Sequence, residues 1–333
     1  MLTQILAQDS VTETLKRSVA NHHLAHAYLF EGPGGVGKTK TAYALACALL
    51  CQKKSLTGCG ACAICHRILE GQHPDVRIIF PRKEGGGNLK VEFVREEILP
   101  FTRYAPFEGR AAVLIFPDAE LSFPPHQPEA ANALLKTLEE PRPHVHFILI
   151  SSRPKRLLDT IRSRCQSLRF SRLPEAAVKQ ILTEHHTDKA LVDIAAALAK
   201  GRADRALWLA QENRTSTLVK QAIAINDTVS QGTNSEVLGL AETLTQDEHL
   251  DVVLDTLAWL YRDIAVSHLS SELKPAAFST LDVMAALNRC AKPIYIDRLA
   301  ARVFAIRRTT RLLERTANKQ LVIESLLFEL SES

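Results

Sequence analysis

The sequence has few aromatic side chains and no long apolar segment near its start. Aromatic residues make up 6% of the 333 residues, and the 14 glycines and 15 prolines are too few for a low-complexity or fibrous chain. Residues 1–20 mix Gln, Asp, Glu and Lys into their apolar positions, which excludes the apolar core of a signal peptide and a membrane-spanning helix. We therefore expect a cytoplasmic globular protein that makes no membrane contact.

An excess of charge of one sign is also absent. The 41 Lys and Arg residues against 37 Asp and Glu give a net charge of +4, too balanced to indicate a high-affinity nucleic-acid surface, and no base-reading motif is present. What the chain does have is an apolar share of 46%, which is enough to bury the cores of two or three domains at this length.

Nearly continuous apolar runs alternate with helical patterns in the first half of the chain. Such runs are typical of strands in a parallel sheet that is covered on both faces. They occupy residues 27–30, 76–80, 112–116 and 145–150, and helical stretches lie around 91–104 and 128–140. The alternation predicts a doubly wound α/β domain over residues 1–170.

From residue 171 onward only helical patterns recur. Apolar residues there repeat at the spacing of one helical face. We predict a small helical domain over residues 171–213 and a larger all-α domain over residues 214–333.

Residues 32–39 read GPGGVGKT and match the phosphate-loop pattern GxxxxGK[ST]. A predicted strand precedes them and a predicted helix follows, the context in which glycines let backbone N–H groups surround phosphate oxygens. Lys38 would reach the outer phosphates and Thr39 would hold Mg²⁺; an ordinary tight turn is the alternative. We expect ATP or ADP with Mg²⁺ to be bound by Gly32, Gly34, Gly35, Val36, Gly37, Lys38 and Thr39.

An ATPase needs a metal-binding acid in addition to the phosphate loop, and this sequence departs from the usual pattern at that position. Hydrolysis requires a metal-binding acid at the end of a neighbouring strand, usually followed by a Glu that polarises water. After the run 112–116, Pro117 occupies the first position and Asp118 the second. Asp118, or Glu120 in a shifted register, is the candidate catalytic carboxylate, although a solvated loop would carry the same residues. The sequence favours nucleotide binding with weak or no hydrolysis.

Four of the seven cysteines fall within residues 51–65. Two consecutive CxxC steps bring three sulfurs within reach of one ion, and four thiolates are typical of a closed structural Zn²⁺ site. Partly buried free thiols are one alternative; a redox CxxC pair is another, although it would leave two cysteines unexplained. We predict a structural zinc module, inserted into the α/β domain, with the ligands Cys51, Cys59, Cys62 and Cys65.

Seven Arg and Lys residues against one acid fill residues 153–172. The segment could be a solvated basic helix, a surface that follows DNA phosphates, or the source of an arginine offered to nucleotide on a neighbouring subunit. Arg164 falls between a predicted helix and the predicted strand 167–170, which fixes its place on a domain edge. That position favours the third interpretation, with Arg164 acting in trans.

Several of these segments together resemble the bacterial DNA polymerase III clamp loader family, whose members are AAA+ type P-loop proteins. Residues 132–141 read NALLKTLEEP, and an apolar strand and then Ser163-Arg164-Cys165 follow them. The cysteine module and residues 22–30, HHLAHAYLF, are similar to the same family. The resemblance covers about residues 1–210; beyond them only the helical character fits.

The resemblance implies an ATP-driven assembly that opens a sliding clamp and places it on primer-template DNA. Its implied partners are the other clamp loader subunits (gamma/tau and delta), the sliding clamp and, through the complex, DNA. In that family gamma/tau hydrolyses ATP, whereas delta-prime completes the ATP site of a neighbour. Pro117 and Asp204, which stands where the motor has a lid arginine, favour the delta-prime branch; the intact Lys38-Thr39 pair favours the motor.

Two classes of function therefore compete. In the first the chain is an assembly subunit that supplies Arg164 to a neighbour and has no polymerase site of its own. In the second it is a gamma/tau-like motor that hydrolyses its own ATP. A stand-alone P-loop kinase would have no reason to carry the cysteine insertion.

Overall fold

The computed structural model describes residues 1–53, 55–81, 87–185, 187–211, 214–269, 296–313 and 318–332. The chain divides into two compact units, one formed by Met1–Ala177 with Gly201–Asp204 and the other by Val178–Lys200 with Arg205–Ser333. The predicted boundary at 213/214 includes Asn213, which lies outside the described residues. The division into three domains stays a prediction.

The first unit contains a five-stranded sheet in the order β2-β3-β4-β1-β5. Every neighbouring pair of strands is parallel, as predicted. The second strand stops short of the predicted residue 80, and Phe80 is exposed. The strands are β1 (Ala27–Glu31), β2 (Val76–Ile78), β3 (Ala112–Phe116), β4 (Val145–Ser151) and β5 (Gln166–Arg169).

Apolar cores cover both faces of this sheet. Successive residues of a strand point to opposite faces, so Val113 and Ile115 of β3 join one core cluster, whereas Leu114 and Phe116 join the other. The helices of the unit are α1 (Asp9–Ala20), α2 (Lys38–Leu50), α3 (Ala63–Leu69), α4 (Val91–Phe93), α5 (Leu99–Arg103), α6 (Ala119–Ser122), α7 (Glu129–Glu139) and α8 (Asp159–Arg162), with a π-helical segment, Val94–Ile98, between α4 and α5. The predicted α/β class with a parallel sheet is confirmed.

The rest of the described chain is helical, which confirms the predicted all-α C-terminal region. In the second unit the helix Leu250–Leu269 packs on the helices Arg214–Gln231 and Ile296–Leu313. The helix Lys319–Glu332 packs on the helices Asn234–Gln246 and Ile296–Leu313. None of the described helices combines the length and the apolar composition that crossing a bilayer would require. These helices are α9 (Glu175–Glu184), α10 (Lys189–Ala199), α11 (Ala203–Leu209), α12 (Arg214–Gln231), α13 (Asn234–Gln246), α14 (Leu250–Leu269), α15 (Ile296–Leu313) and α16 (Lys319–Glu332).

A buried carboxylate fixes the loop that leads into β3. Asp75, directly before β2, is 2% exposed. One of its oxygens accepts from the backbone N–H of Phe107 (2.5 Å), and the other accepts from Glu108 (2.9 Å) and Gly109 (2.7 Å). One side chain thus satisfies three backbone donors, which ties the two segments together.

Replacing Asp75 with Asn should destabilise the sheet unit by about 3 kcal/mol, because the charge is lost and an amide N–H₂ group is turned toward backbone donors. Urea unfolding followed by circular dichroism measures the change. Asp159→Asn is the matched control: its side chain is 81% exposed and pairs with Arg162 one helical turn away, and such surface pairs contribute little. Equal stability of the two variants would contradict the anchoring role.

Candidate functional site

The phosphate loop follows the carboxyl end of β1, which lies between β4 and β5. Ligands of open α/β sheets bind at such a reversal of strand order. The N–H of Gly32 donates to the carbonyl of Ser151 at the end of β4 (3.2 Å). Gly32 has a φ of 147°, and a Cβ there would collide with the carbonyl oxygen of Phe170 after β5, so only glycine allows the loop to leave the sheet along this path.

Lys38 lies inside the curl of the loop, with 6% of its surface exposed. Its ammonium donates to the carbonyls of Gly32 (2.6 Å) and Pro33 and lies 3.4 Å from the hydroxyl of Ser152. Burial lowers the Lys38 pKa to about 8, although the negative charges of nearby acids oppose the shift. Near neutral pH the loop therefore holds a positive charge at its centre.

Two acids follow β3 at the same edge of the sheet. Glu120 is 6% exposed, and one of its oxygens accepts from the backbone N–H groups of Ser152 and Arg153 after β4, both at 3.2 Å. Its second oxygen is buried without a hydrogen-bond partner within the described part of the chain. Asp118 is exposed and has a left-handed φ of 48°; partial desolvation and the charge of Glu120 raise its pKa.

Asp118 and Glu120 are the two candidates for the predicted catalytic carboxylate. Glu120, the candidate of the shifted register, raises the pKa of Lys38 more than Asp118 does. Glu120 is also the acid whose position is fixed by β4. A role for Asp118 in hydrolysis stays a prediction.

A segment from beyond β5 returns to the phosphate loop. The N–H of Ala203 donates to the carbonyl of Gly35 (2.8 Å). The same segment carries Asp204, the residue that departs from the motor pattern, and brings its carboxylate against Gly35.

Gln8, which the sequence did not single out, links the loop to the end of the sheet. Its amide donates to the carbonyl of Ser171 (2.7 Å) and of Val36 (3.4 Å), and it accepts from the N–H of Ser171 (3.1 Å). A buried glutamine near the start of a chain leaves no pattern in the sequence, so only its neighbours in space reveal the role.

Arg164 lies near the amino end of β5, whereas the phosphate loop lies at the carboxyl ends of the parallel strands. It lies two residues before the first residue of β5, Gln166, which pairs with Tyr28 inside β1, whereas the loop follows the carboxyl end of β1. The guanidinium is one-third exposed. It donates through Nε and Nη2 to one oxygen of Glu139, the former at 2.9 Å, and through Nη1 to the carbonyl of Thr160, also at 2.9 Å. Arg164 is therefore fixed away from its own phosphate loop.

The predicted cysteine ligands come together between α2 and α3. The sulfurs of Cys51, Cys59, Cys62 and Cys65 all lie within 4.8 Å of one another. Four sulfurs bound tetrahedrally to zinc at about 2.3 Å would be about 3.8 Å apart, and the Cys59 and Cys65 sulfurs are 3.9 Å apart. The donor set thus fits a closed structural Zn²⁺ site.

Two further features of this cluster agree with metal binding. Burial raises the pKa of Cys65, whereas at Cys62 the N–H groups of Cys65 and Gln52 outweigh burial and lower the pKa to about 6, which favours the thiolate, the form that binds metals, at Cys62. Cys47 lies beside the cluster, but its thiol points at the carbonyl of Cys65 (3.9 Å), and burial raises its pKa to about 11.

Comparison with known proteins gives consistent matches. The family model of the DNA polymerase III delta subunit matches residues 7–174. The delta-prime subunit of Bacillus subtilis is 27% identical over 98% of this chain and 96% of its own length, and that of Pseudomonas aeruginosa is 42% identical over 42% of each. The tau subunit of Escherichia coli is 32% identical over 75% of this chain, which spans 37% of tau.

The matched regions include the phosphate loop, the cysteine cluster and Arg164. The family model alone accounts for half of the chain, and one delta-prime subunit aligns with nearly all of it. The chain therefore belongs to the DNA polymerase III delta subunit family, within which it resembles the delta-prime subunits.

Proposed function

We propose that the chain is a delta-prime-like subunit of the DNA polymerase III clamp loader, which helps to load the sliding clamp onto primed DNA. It would work with the gamma/tau and delta subunits and contact the clamp and the primer-template through the complex. The alignment with a delta-prime subunit over 98% of the chain is the observation that carries this proposal. The C-terminal region 214–333 would form the surface that joins neighbouring subunits.

In this proposal Arg164 stabilises the charge on ATP bound by a neighbouring subunit. Its position near the amino end of β5, away from its own phosphate loop, supports a role in trans. The hydrogen bonds to Glu139 and Thr160 use three of the five N–H groups of the guanidinium. Among the described residues these contacts leave one N–H group on each terminal nitrogen, and a planar guanidinium can offer such a pair to a phosphate.

Replacing Arg164 with Ala should lower turnover at the one neighbouring ATP site by roughly a thousandfold, the low end of what an arginine supplied in trans contributes. The measurement is the ATPase rate of the reconstituted complex in which the other ATP sites carry phosphate-loop Lys→Ala substitutions. Arg164→Lys should recover little, because an ammonium lacks the planar fork.

The matched control is Arg156→Ala, which removes an exposed arginine from the same basic segment. Gel filtration checks that each variant assembles. Normal turnover in an assembled Arg164→Ala complex would remove the role in trans.

The chain's own phosphate loop, in this proposal, binds ATP or ADP with Mg²⁺ and hydrolyses it weakly or not at all. The loop backbone and Lys38 would hold the phosphates, and Thr39 would hold the Mg²⁺. Pro117, at the metal-binding acid position, supports weak hydrolysis, since a proline cannot bind the metal. The gamma/tau-like motor remains the second candidate, favoured by the intact Lys38-Thr39 pair.

Lys38→Ala separates these two candidates. Loss of the buried ammonium should weaken nucleotide binding by the purified chain by at least about a hundredfold, the scale of a charge-assisted contact to phosphate. Clamp loading by the reconstituted complex should stay within about twofold of normal. Lys40→Ala, which changes the exposed lysine two residues along α2, is the control. Loss of clamp loading in the Lys38 variant alone would favour the motor.

The four-cysteine cluster would hold one structural Zn²⁺. A closed set of thiolates leaves no position for water, so the ion would stabilise the fold around residues 51–65 and take no part in a reaction. The fit of the sulfur spacing to a tetrahedral ion supports this assignment.

Cys59→Ala should abolish stoichiometric zinc binding and lower the melting temperature by about 5 °C or more, because a structural metal stabilises only the folded chain. Cys59 is the partly exposed ligand, so its truncation leaves the core nearly intact. Plasma mass spectrometry of purified protein gives the zinc content, with Cys165→Ala as the control. One zinc per chain in the Cys59 variant, or none in the wild type, would contradict the site.

A further inference from the structure

The carboxylate of Asp204 lies directly on the phosphate loop. A Cβ built on Gly35 would overlap one oxygen of Asp204 and would lie 2.8 Å from its backbone nitrogen. The N–H of Ala203 donates to the carbonyl of Gly35, so backbone and side chain of this segment both contact the loop. The absence of a side chain at Gly35 is what permits the approach.

Arg202 pairs with Asp204 over the same glycines. Its Nη2 is 2.9 Å from one carboxylate oxygen of Asp204, and its Nε is 3.2 Å from the other. The same Nη2 lies 3.2 Å from the point that a Cβ on Gly34 would occupy. Both side chains are at least one-third exposed. The pair can therefore exchange partners with a ligand that arrives from solvent.

This arrangement has a consequence for any phosphate bound by the loop. The N–H groups of a phosphate loop bind negatively charged ligands. A carboxylate beside the loop repels an incoming phosphate, whereas a guanidinium attracts one. Asp204 raises the pKa of Lys38, and Arg202 lowers it. Their combined effect depends on the charge of the ligand, which Mg²⁺ reduces.

We propose that Asp204 is a specificity-determining residue of the phosphate loop: it weakens binding of metal-free polyphosphates and restricts the loop to nucleotides whose charge is reduced by Mg²⁺, with Arg202 as its neutralising partner. The inference rests on the proposed nucleotide binding and names its determinant. Removing the Asp204 charge should tighten nucleotide binding, and removing the Arg202 charge should weaken it.

Binding of fluorescently labelled ADP and ATP to the full chain tests this, once in buffer with excess Mg²⁺ and once in magnesium-free buffer. The second buffer contains no chelator, so that zinc is not removed. For Asp204→Asn we expect affinity to rise about tenfold with Mg²⁺ and about a hundredfold without it. For Arg202→Ala we expect about a tenfold loss in both conditions. Asp159→Asn, which also removes one negative charge from an ion pair, should leave binding unchanged.

The outcomes separate this inference from the proposed function. A gain in Asp204→Asn that Lys38→Ala abolishes supports both, since the extra binding then occurs at the loop. Wild-type binding that Asp204→Asn leaves unchanged, in a variant that melts normally, overturns the inference and leaves nucleotide binding intact. If neither the wild type nor Asp204→Asn binds either nucleotide, the nucleotide site itself is excluded, and the inference with it.

Discussion

The pairing of β1 with a parallel strand on each side is the constraint on which the functional geometry depends. Glu31, the last residue of β1, is in register with Ser151 of β4 and Arg169 of β5. The phosphate loop therefore begins where hydrogen bonds from both neighbours end, and its first N–H donates to β4. A register slip by one residue would reverse the side chains of β1 between the two cores. The loop, the acids after β3 and the backbone after β4 share one edge because all the strands are parallel.

The charges at that edge differ from those expected of a simple phosphate cradle. One buried ammonium, Lys38, faces Glu120, Asp118 and Asp204, and Arg202 adds one more positive charge. Under the proposed nucleotide binding, a polyphosphate at the loop would meet the negative charges of Glu120, Asp118 and Asp204 as well as the positive charges of Lys38 and Arg202, so its affinity would depend on Mg²⁺. Hydrolysis needs a further metal-binding acid, and Pro117 stands at that position. Both features agree with the proposed function, in which the loop binds nucleotide with little turnover.

Segments outside the sheet and the long helices are held by single polar side chains. Asp75 satisfies three backbone donors of one loop, Gln8 joins the phosphate loop to Ser171, and four sulfurs gather residues 51–65. Asp75 and Gln8 in this way pair backbone groups that lie outside regular secondary structure. Their cost of removal is correspondingly large, because buried donors are then left without partners.

Local sequence patterns were enough to predict the strands of the sheet, the phosphate loop and the four-cysteine cluster, because each of these depends on residues close together in the chain. Continuous apolar runs identify strands buried on both faces, glycine spacing identifies the loop, and consecutive CxxC steps identify the cluster. The predicted strand 76–80, at the edge of the sheet, was too long: β2 ends at Ile78, although apolar residues continue to Phe80. Which ionisable groups lie close together follows from the tertiary structure alone. Glu120 lies beside Lys38 and Glu139 pairs with Arg164. The Asp204 carboxylate lies against Gly35 of the phosphate loop. These pairs are set by the order of the strands and by the return of the Gly201–Asp204 segment to the loop, and no local pattern encodes either.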